Sequence, residues 1–171
     1  MIRLRTQSAA ETLRLGVRIG RLLLPGSVVG LDGDLGTGKT WMAKGLVRGI
    51  GDFDDELVKS PAYNLVHEYA VAREGGALPV VHIDFYRLEE LTATDRQLFE
   101  EYFGREEAIV IVEWAGRFLA ELAPAYLAIG LALCADGDPE CRDLSIGAVG
   151  DPGRYDRVLR ELAEPAEPAP P

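Results

Sequence analysis

The stretch Gly33-Asp34-Leu35-Gly36-Thr37-Gly38-Lys39-Thr40 decides the fold. It fits the pattern of a glycine, four free positions, then glycine, lysine and serine or threonine. Glycines let the main chain curl until successive amides face one point and form an anion nest, and side chains there would block an approaching phosphate. An apolar strand over 27–31 feeds the loop, and a helix from about Lys39 to Ile50, closed by Gly51, leaves it with its positive end toward the anion. Lys39 supplies a mobile charge for β and γ phosphates, and the Thr40 hydroxyl is a hard oxygen suited to magnesium. By chance such a pattern arises in on the order of one in a few hundred chains of this size, and the flanking strand and helix lower that further. Lys39 is also one of only three lysines, the others being Lys44 and Lys59. The stretch therefore predicts a pocket for a nucleoside triphosphate with its magnesium.

Outward from the loop, residues 2–6 read as a short strand. Ser8 followed by Glu11 has capping-box spacing, and Leu13, Val17 and Leu22 give a helical stripe up to Pro25. Strands are expected over 64–71 and 78–84, joined by a loop carrying Gly75 and Gly76. A polar helix is expected over 88–103. The continuous apolar run 108–112 suits a strand buried on both faces. Residues 126–133 alternate, as do Leu144, Ile146 and Ala148, which predicts an antiparallel pair. A last helix covers 155–162. The pattern is that of an α/β, P-loop NTPase-like domain with a mixed parallel/antiparallel central sheet flanked by helices. Residues 1–164 form this single domain, and 165–171 read as a disordered Pro/Ala-rich tail.

In open α/β sheets, ligands bind beyond the carboxyl ends of the strands. Asp84 ends the run Leu78 to Ile83, and Glu113 ends Ile109 to Val112. If both strands run parallel to the one feeding the loop, both carboxylates reach the phosphates. One then holds magnesium through a water and the other orients the attacking water. Glu113 is assigned to the metal and Asp84 to the γ-phosphate and water, with the reverse assignment left open. Lys39, Asp84 and Glu113 are thus the catalytic candidates, and Thr40 and Glu113 the metal candidates. His82 and His67 have no cysteine or second histidine at ligand spacing, and packing or surface roles are expected of them. Trp114 either covers the nucleotide or fills the core, while Trp41 suits packing or a partner surface.

The chain has 171 residues, 47% of them hydrophobic, and a formal net charge of -10. That surface repels phosphate backbones, so unaided DNA or RNA binding is excluded as a first reading. Cys134 and Cys141 match neither a zinc site nor a redox pair, and both read as unpaired residues of a reducing cytoplasm. Residues 1–12 lack the apolar block of a signal peptide, and no stretch approaches bilayer-spanning length. A cytoplasmic protein without a membrane role is expected.

Four segments in this order and spacing resemble the TsaE (YjeE) family of small bacterial ATPases. They are the loop 33–40, then Val58-Lys59-Ser60-Pro61-Ala62-Tyr63-Asn64-Leu65-Val66, His82-Ile83-Asp84-Phe85-Tyr86-Arg87-Leu88, and Val112-Glu113-Trp114. The resemblance runs from Ser8 to about Leu162. It implies ATP and Mg2+ as cofactors and TsaD and TsaB as partners, in making threonylcarbamoyladenosine beside the anticodon of tRNA. The tRNA would be met only indirectly, through the complex, and the chain alone would be a feeble ATPase. By the same resemblance, Gly33, Leu35, Gly36, Thr37, Gly38, Lys39 and Thr40 hold the phosphates, Asp84 lies near the γ-phosphate, and Ser8 and Arg142 contact nucleotide. Arg142 also reads as the opening of a surface strand. Ala62 departs from the family's threonine after Ser-Pro, removing a hydroxyl for which Ser60 could substitute.

Two rival readings share the loop. A P-loop small-molecule kinase would carry an arginine-rich lid, whereas the arginines here are scattered. A GTPase would need an asparagine-lysine-x-aspartate segment, and none of the three lysines lies in one. A nucleotide-switched adaptor with little hydrolysis is the third reading, favoured by Ala62.

Overall fold

Residues 1–135, 137–151 and 153–164 are described by the structure, a computed structural model. In chain order the elements are β1 (Ile2–Thr6), α1 (Ala9–Gly20), β2 (Val28–Asp32), α2 (Lys39–Ile50), β3 (Val66–Arg73) and β4 (Gly76–Asp84). They continue with α3 (Ala93–Phe103), β5 (Ile109–Glu113), α4 (Leu119–Leu122), β6 (Tyr126–Leu133), β7 (Arg142–Val149) and α5 (Asp156–Ala163). All seven strands join one sheet in the order β1-β7-β6-β2-β5-β4-β3. The central pairs β2–β5, β2–β6 and β4–β5 are parallel, and the outer pairs β1–β7, β6–β7 and β3–β4 antiparallel. This is the mixed α/β sheet expected from the sequence.

The period of two along each strand sorts the core into two faces. Val29, Leu31, Ile109, Ile111 and Val80 join the α1 and α2 side chains in one cluster. Val28, Val110, Val112, Val81 and Ile83 face the other way, against Phe85, Phe99 and Leu119. All five β5 residues are buried, which explains the unbroken apolar run.

Helices α1 and α2 approach through glycines at four-residue spacing, Gly16 and Gly20 on one, Gly45 and Gly49 on the other. A Cβ on Gly45 would lie 2.3 Å from the Leu13 carbonyl oxygen and 2.9 Å from the Gly16 Cα. A Cβ on Gly20 would lie 2.2 Å from the Leu46 carbonyl oxygen. Side-chain size at the contact sets interaxial distance, so the glycines fix how deeply α2 sits.

Element boundaries differ from expectation for local reasons. α1 stops at Gly20 rather than near Pro25, because Leu22 and Leu23 donate three residues back, to Ile19 and Gly20. The polar helix starts at Ala93 rather than 88, where Thr92 and Asp95 close a capping box. β3 starts at Val66 rather than Asn64, since Leu65 takes a left-handed φ of 63°. Cys134 and Cys141 are disulfide-bonded, contrary to the unpaired reading. The β6–β7 register pairs Leu133 with Arg142, which brings the two cysteines face to face with Cα atoms 5.5 Å apart. The tail expected over 165–171 lies outside the described residues. Among those described, no helix is long and apolar enough to cross a membrane.

In an ordinary helix interior, Gly→Ala stabilises by about 1 kcal/mol. At Gly45 the sign is expected to reverse. Gly45→Ala should destabilise by about 1–3 kcal/mol through overpacking against the α1 backbone, measured by urea unfolding. A gain in stability would show that the helices are not held at this distance.

Candidate functional site

The loop between β2 and α2 turns through left-handed backbone at Gly36 (φ 81°) and Gly38 (φ 96°), positions that favour glycine. Gly33 is fixed by proximity, since its Cβ would lie 2.1 Å from the Leu131 carbonyl oxygen. Gly38 caps α2 and offers no side-chain acceptor, whereas Ser8 and Thr92 cap α1 and α3 with their hydroxyls. The first-turn amides of α2 thus have no side-chain acceptor at the cap, the arrangement that suits an anion.

Beyond the strand ends lies a cavity of roughly 450 Å³, whose walls include Leu35, Gly36, Lys39, Thr40, Asp84 and Glu113. The parallel register sets Asp84 beside Glu113, and Glu113 beside Leu31 of β2. His82 and Asp84 share a face of β4 by the period of two, the same face as α2. Asp84 is 1% exposed and Glu113 2%.

Each carboxylate is held. The Thr40 hydroxyl stands 3.1 Å from both Glu113 oxygens, and His82 Nε2 is 3.0 Å from Oε1. Asp84 accepts from the Ser60 hydroxyl and, at 2.8 Å, from the Tyr86 backbone N–H. Lys39 Nζ donates to the Gly33 and Asp34 carbonyls at 2.6 and 2.8 Å. Its ammonium also lies 4.0 Å from the centre of the Trp114 ring. Burial pushes the Lys39 ammonium down from its ordinary value, opposed by the charges of Glu113, Asp84, Asp32 and Asp34. Trp114, at a left-handed φ of 58°, is half-buried and stacks obliquely on Tyr86 with ring centres 4.9 Å apart. It lines the pocket and also packs against the core cluster of Phe85 and Leu119, so it shares both places that the sequence offered.

Among the described residues no group of three or more His, Cys, Asp or Glu is placed to cage a metal. Thr40 and Glu113 nonetheless present hard oxygens beside the uncapped amides. That donor set suits magnesium, which keeps several waters and takes one or two protein oxygens together with phosphates.

The remaining candidates are placed differently. Thr37 is buried, its hydroxyl donating to the Asp34 carbonyl at 2.9 Å. Ser8 works as a helix cap, accepting from the Glu11 N–H at 3.2 Å. Arg142 opens β7 and reaches the loop itself, with Nε 2.9 Å from the Thr37 carbonyl and Nη2 3.2 Å from that of Gly36. It borders a smaller neighbouring cavity of about 160 Å³ with Gly36, Gly38 and Trp41. His82, read from sequence as packing or surface, is fully buried and also bonds to Glu113 Oε1, a contact the sequence reading lacked. The available signal was its place two residues before Asp84 on one strand face.

A glycine-rich nest on a strand-to-helix turn, with acids at the neighbouring strand ends, defines the phosphate-loop class of α/β proteins. The family described as Threonylcarbamoyl adenosine biosynthesis protein TsaE matches residues 6–138, and the chain belongs to it. It is 32% identical over 157 residues to the tRNA threonylcarbamoyladenosine biosynthesis protein TsaE of Bacillus subtilis, spanning 92% of this chain and 90% of that protein. It is 37% identical over 142 residues to the protein of the same name from Treponema pallidum, spanning 79% and 94%. Among solved structures it resembles Bacillus subtilis YdiB, with a TM-score of 0.71, 28% identity and coverage of 95% and 93%.

Arg142→Ala removes two charged donors from loop carbonyls, each partly exposed to solvent and worth about 1 kcal/mol. It is expected to weaken ADP affinity by about fivefold and to speed hydrogen exchange at 36–40. Calorimetry and exchange measurements check this, and unchanged values in both would remove Arg142 from the loop's support.

Proposed function

We propose that the chain is a magnesium-dependent ATP hydrolase that works with TsaB and TsaD in threonylcarbamoyladenosine modification of tRNA. The observation that carries this reading is the convergence of Lys39, Thr40, Asp84 and Glu113 on one pocket. Family membership supplies the pathway, and the partners and the adenine base follow from the resemblance in sequence. With a net charge of -10, contact with tRNA falls to the partners.

The loop amides and Lys39 bind and orient the phosphates, turning from the Gly33 and Asp34 carbonyls to do so. Magnesium, when bound, neutralises charge developing on the phosphate oxygens. Thr40 and Glu113 would hold the metal through their hard oxygens. Asp84, fixed by Ser60 and the Tyr86 N–H, orients a water in line with the γ-phosphorus. That water forms the new P–O bond as the bond to ADP breaks, and its proton leaves with the phosphate. Positioning and charge neutralisation carry the step, since phosphoryl transfer asks for little covalent help. The setting is the cytoplasm, where the Cys134–Cys141 bond is open to reduction.

One observation favours the switched-adaptor reading as a second choice. Ala62 lines the pocket without a hydroxyl, and the Ser60 hydroxyl that could replace it is already committed to Asp84.

Phosphate release measured with TsaB and TsaD present tests the proposal. Lys39→Ala is expected to lower turnover by roughly 100-fold or more, and Glu113→Ala to impair turnover and metal dependence more than ADP binding. Normal hydrolysis by Lys39→Ala would overturn the reading. No wild-type turnover, with ATP still stabilising the assembly, would favour the adaptor.

A further inference from the structure

His82 has no exposed surface, and its neighbours on the sheet face are Val80, Ile111, Asp84 and the cross-strand His67. Burying an imidazole is costly unless its nitrogens are partnered, and both of them are. Nε2 stands 3.0 Å from Glu113 Oε1, and Nδ1 3.5 Å from the Tyr69 hydroxyl. Tyr69 lies 3.5 Å from His67 Nδ1, whose other nitrogen is 3.3 Å from Asn64 Nδ2.

Donor and acceptor accounting gives this line one direction. A carboxylate only accepts, so His82 carries a proton on Nε2 and accepts at Nδ1 from the Tyr69 O–H. The Tyr69 oxygen then accepts from His67 Nδ1–H, and His67 Nε2 accepts from the Asn64 amide. Every link then has one donor and one acceptor, and each donor polarises the next toward Glu113. Burial raises the Tyr69 phenol above its ordinary value, opposed by a backbone hydrogen bond with Lys59 and aided by the Glu113 charge.

The consequence falls on the carboxylate. Thr40 lies at 3.1 Å from both Glu113 oxygens, so this contact alone does not distinguish them. A second donor on Oε1 alone does, and it fixes the plane of the group. We propose that His82 is a positioning residue for the metal side of the site, its Nε2–H pinning Glu113 Oε1 so that Oε2 is presented to Thr40 and the cation. The inference rests on the proposed assignment of Glu113 to magnesium. It also links that side of the pocket, through Tyr69 and His67, to the 59–65 loop whose Ser60 holds Asp84.

The experiment measures ADP affinity of the full chain with Mg2+ and with EDTA, read by calorimetry or Trp114 fluorescence. The quantity of interest is the ratio of the two affinities. His82→Leu removes the donor and is expected to reduce the ratio about tenfold or more, the usual effect of losing a group that orients a metal ligand. His82→Gln places an amide N–H near the same point and is expected to restore the ratio to within about threefold of wild type. A merely structural role would not sort the variants by donor capacity. A wild-type ratio in folded His82→Leu overturns the inference alone, and so does a loss in His82→Gln equal to that in His82→Leu. Wild-type ADP binding indifferent to magnesium overturns both the inference and the metal assignment beneath it. Should His82→Leu not fold, Tyr69→Phe takes its place: a ratio lowered at least twofold supports the line of donors, and an unchanged ratio overturns it.

Discussion

Two opposed electrostatic demands meet at the carboxyl edge of the sheet. Asp84 and Glu113 are buried there almost completely, and Lys39 stands close enough for both to oppose the loss of its proton. Two carboxylates against one ammonium leave the interior of the pocket in want of positive charge. A few ångströms away, the uncapped end of α2 and the glycine turn want an anion. A free phosphate would meet the second demand and aggravate the first, and a free cation would do the reverse. On the proposed reading, a triphosphate carrying its metal would meet both demands at once.

The fold's contribution is to hold the two demands at a fixed separation. Parallel pairing of β2, β5 and β4 places Leu31, Glu113 and Asp84 at one level, and the pleat turns both acids toward α2. On the other side, the glycine contact between α1 and α2 lets α2 sit against α1 backbone to backbone. The start of α2, and with it Lys39 and Thr40, is thereby set against the strand ends. A bulkier contact would move the anion site relative to the carboxylates and leave every side chain of the pocket unchanged. Function here depends on a packing distance as much as on the groups themselves.

What was legible in the sequence was what is encoded locally. The loop and α2 depend on a contiguous string of residues, and the helix expected from about Lys39 to Ile50 spans those residues in the structure. Asp84 and Glu113 were legible because apolar runs that end in an acid, alternating with helices, imply parallel strands with shared carboxyl ends. His82 was not, because its partner is a residue 31 positions away, and a lone histidine in an apolar strand carries no sign of such a partner. The cysteine pair escaped for a related reason: a separation of seven fits no ligand or redox pattern and becomes a pair only once the β6–β7 register is known. Four-residue α4 (Leu119–Leu122) is too short for periodicity to show.

Arg142 reads from sequence both as the opening of a strand and, by resemblance, as a nucleotide contact. It opens β7, and its guanidinium reaches the glycine-rich loop, donating to the Thr37 and Gly36 carbonyls as well as to those of Pro139 and Cys141. In a trans peptide, C=O and the following N–H point in opposite directions. When Arg142 draws the Thr37 carbonyl toward itself, the Gly38 N–H must face away from Arg142, the direction in which an anion nest has to point. The guanidinium thus sets the polarity of the nest from behind. β7 pairs with β6, which pairs with β2, so a strand far along the chain orients a loop that its own glycines leave free to turn. Glycine supplies the freedom and Arg142 removes it again, in one chosen direction.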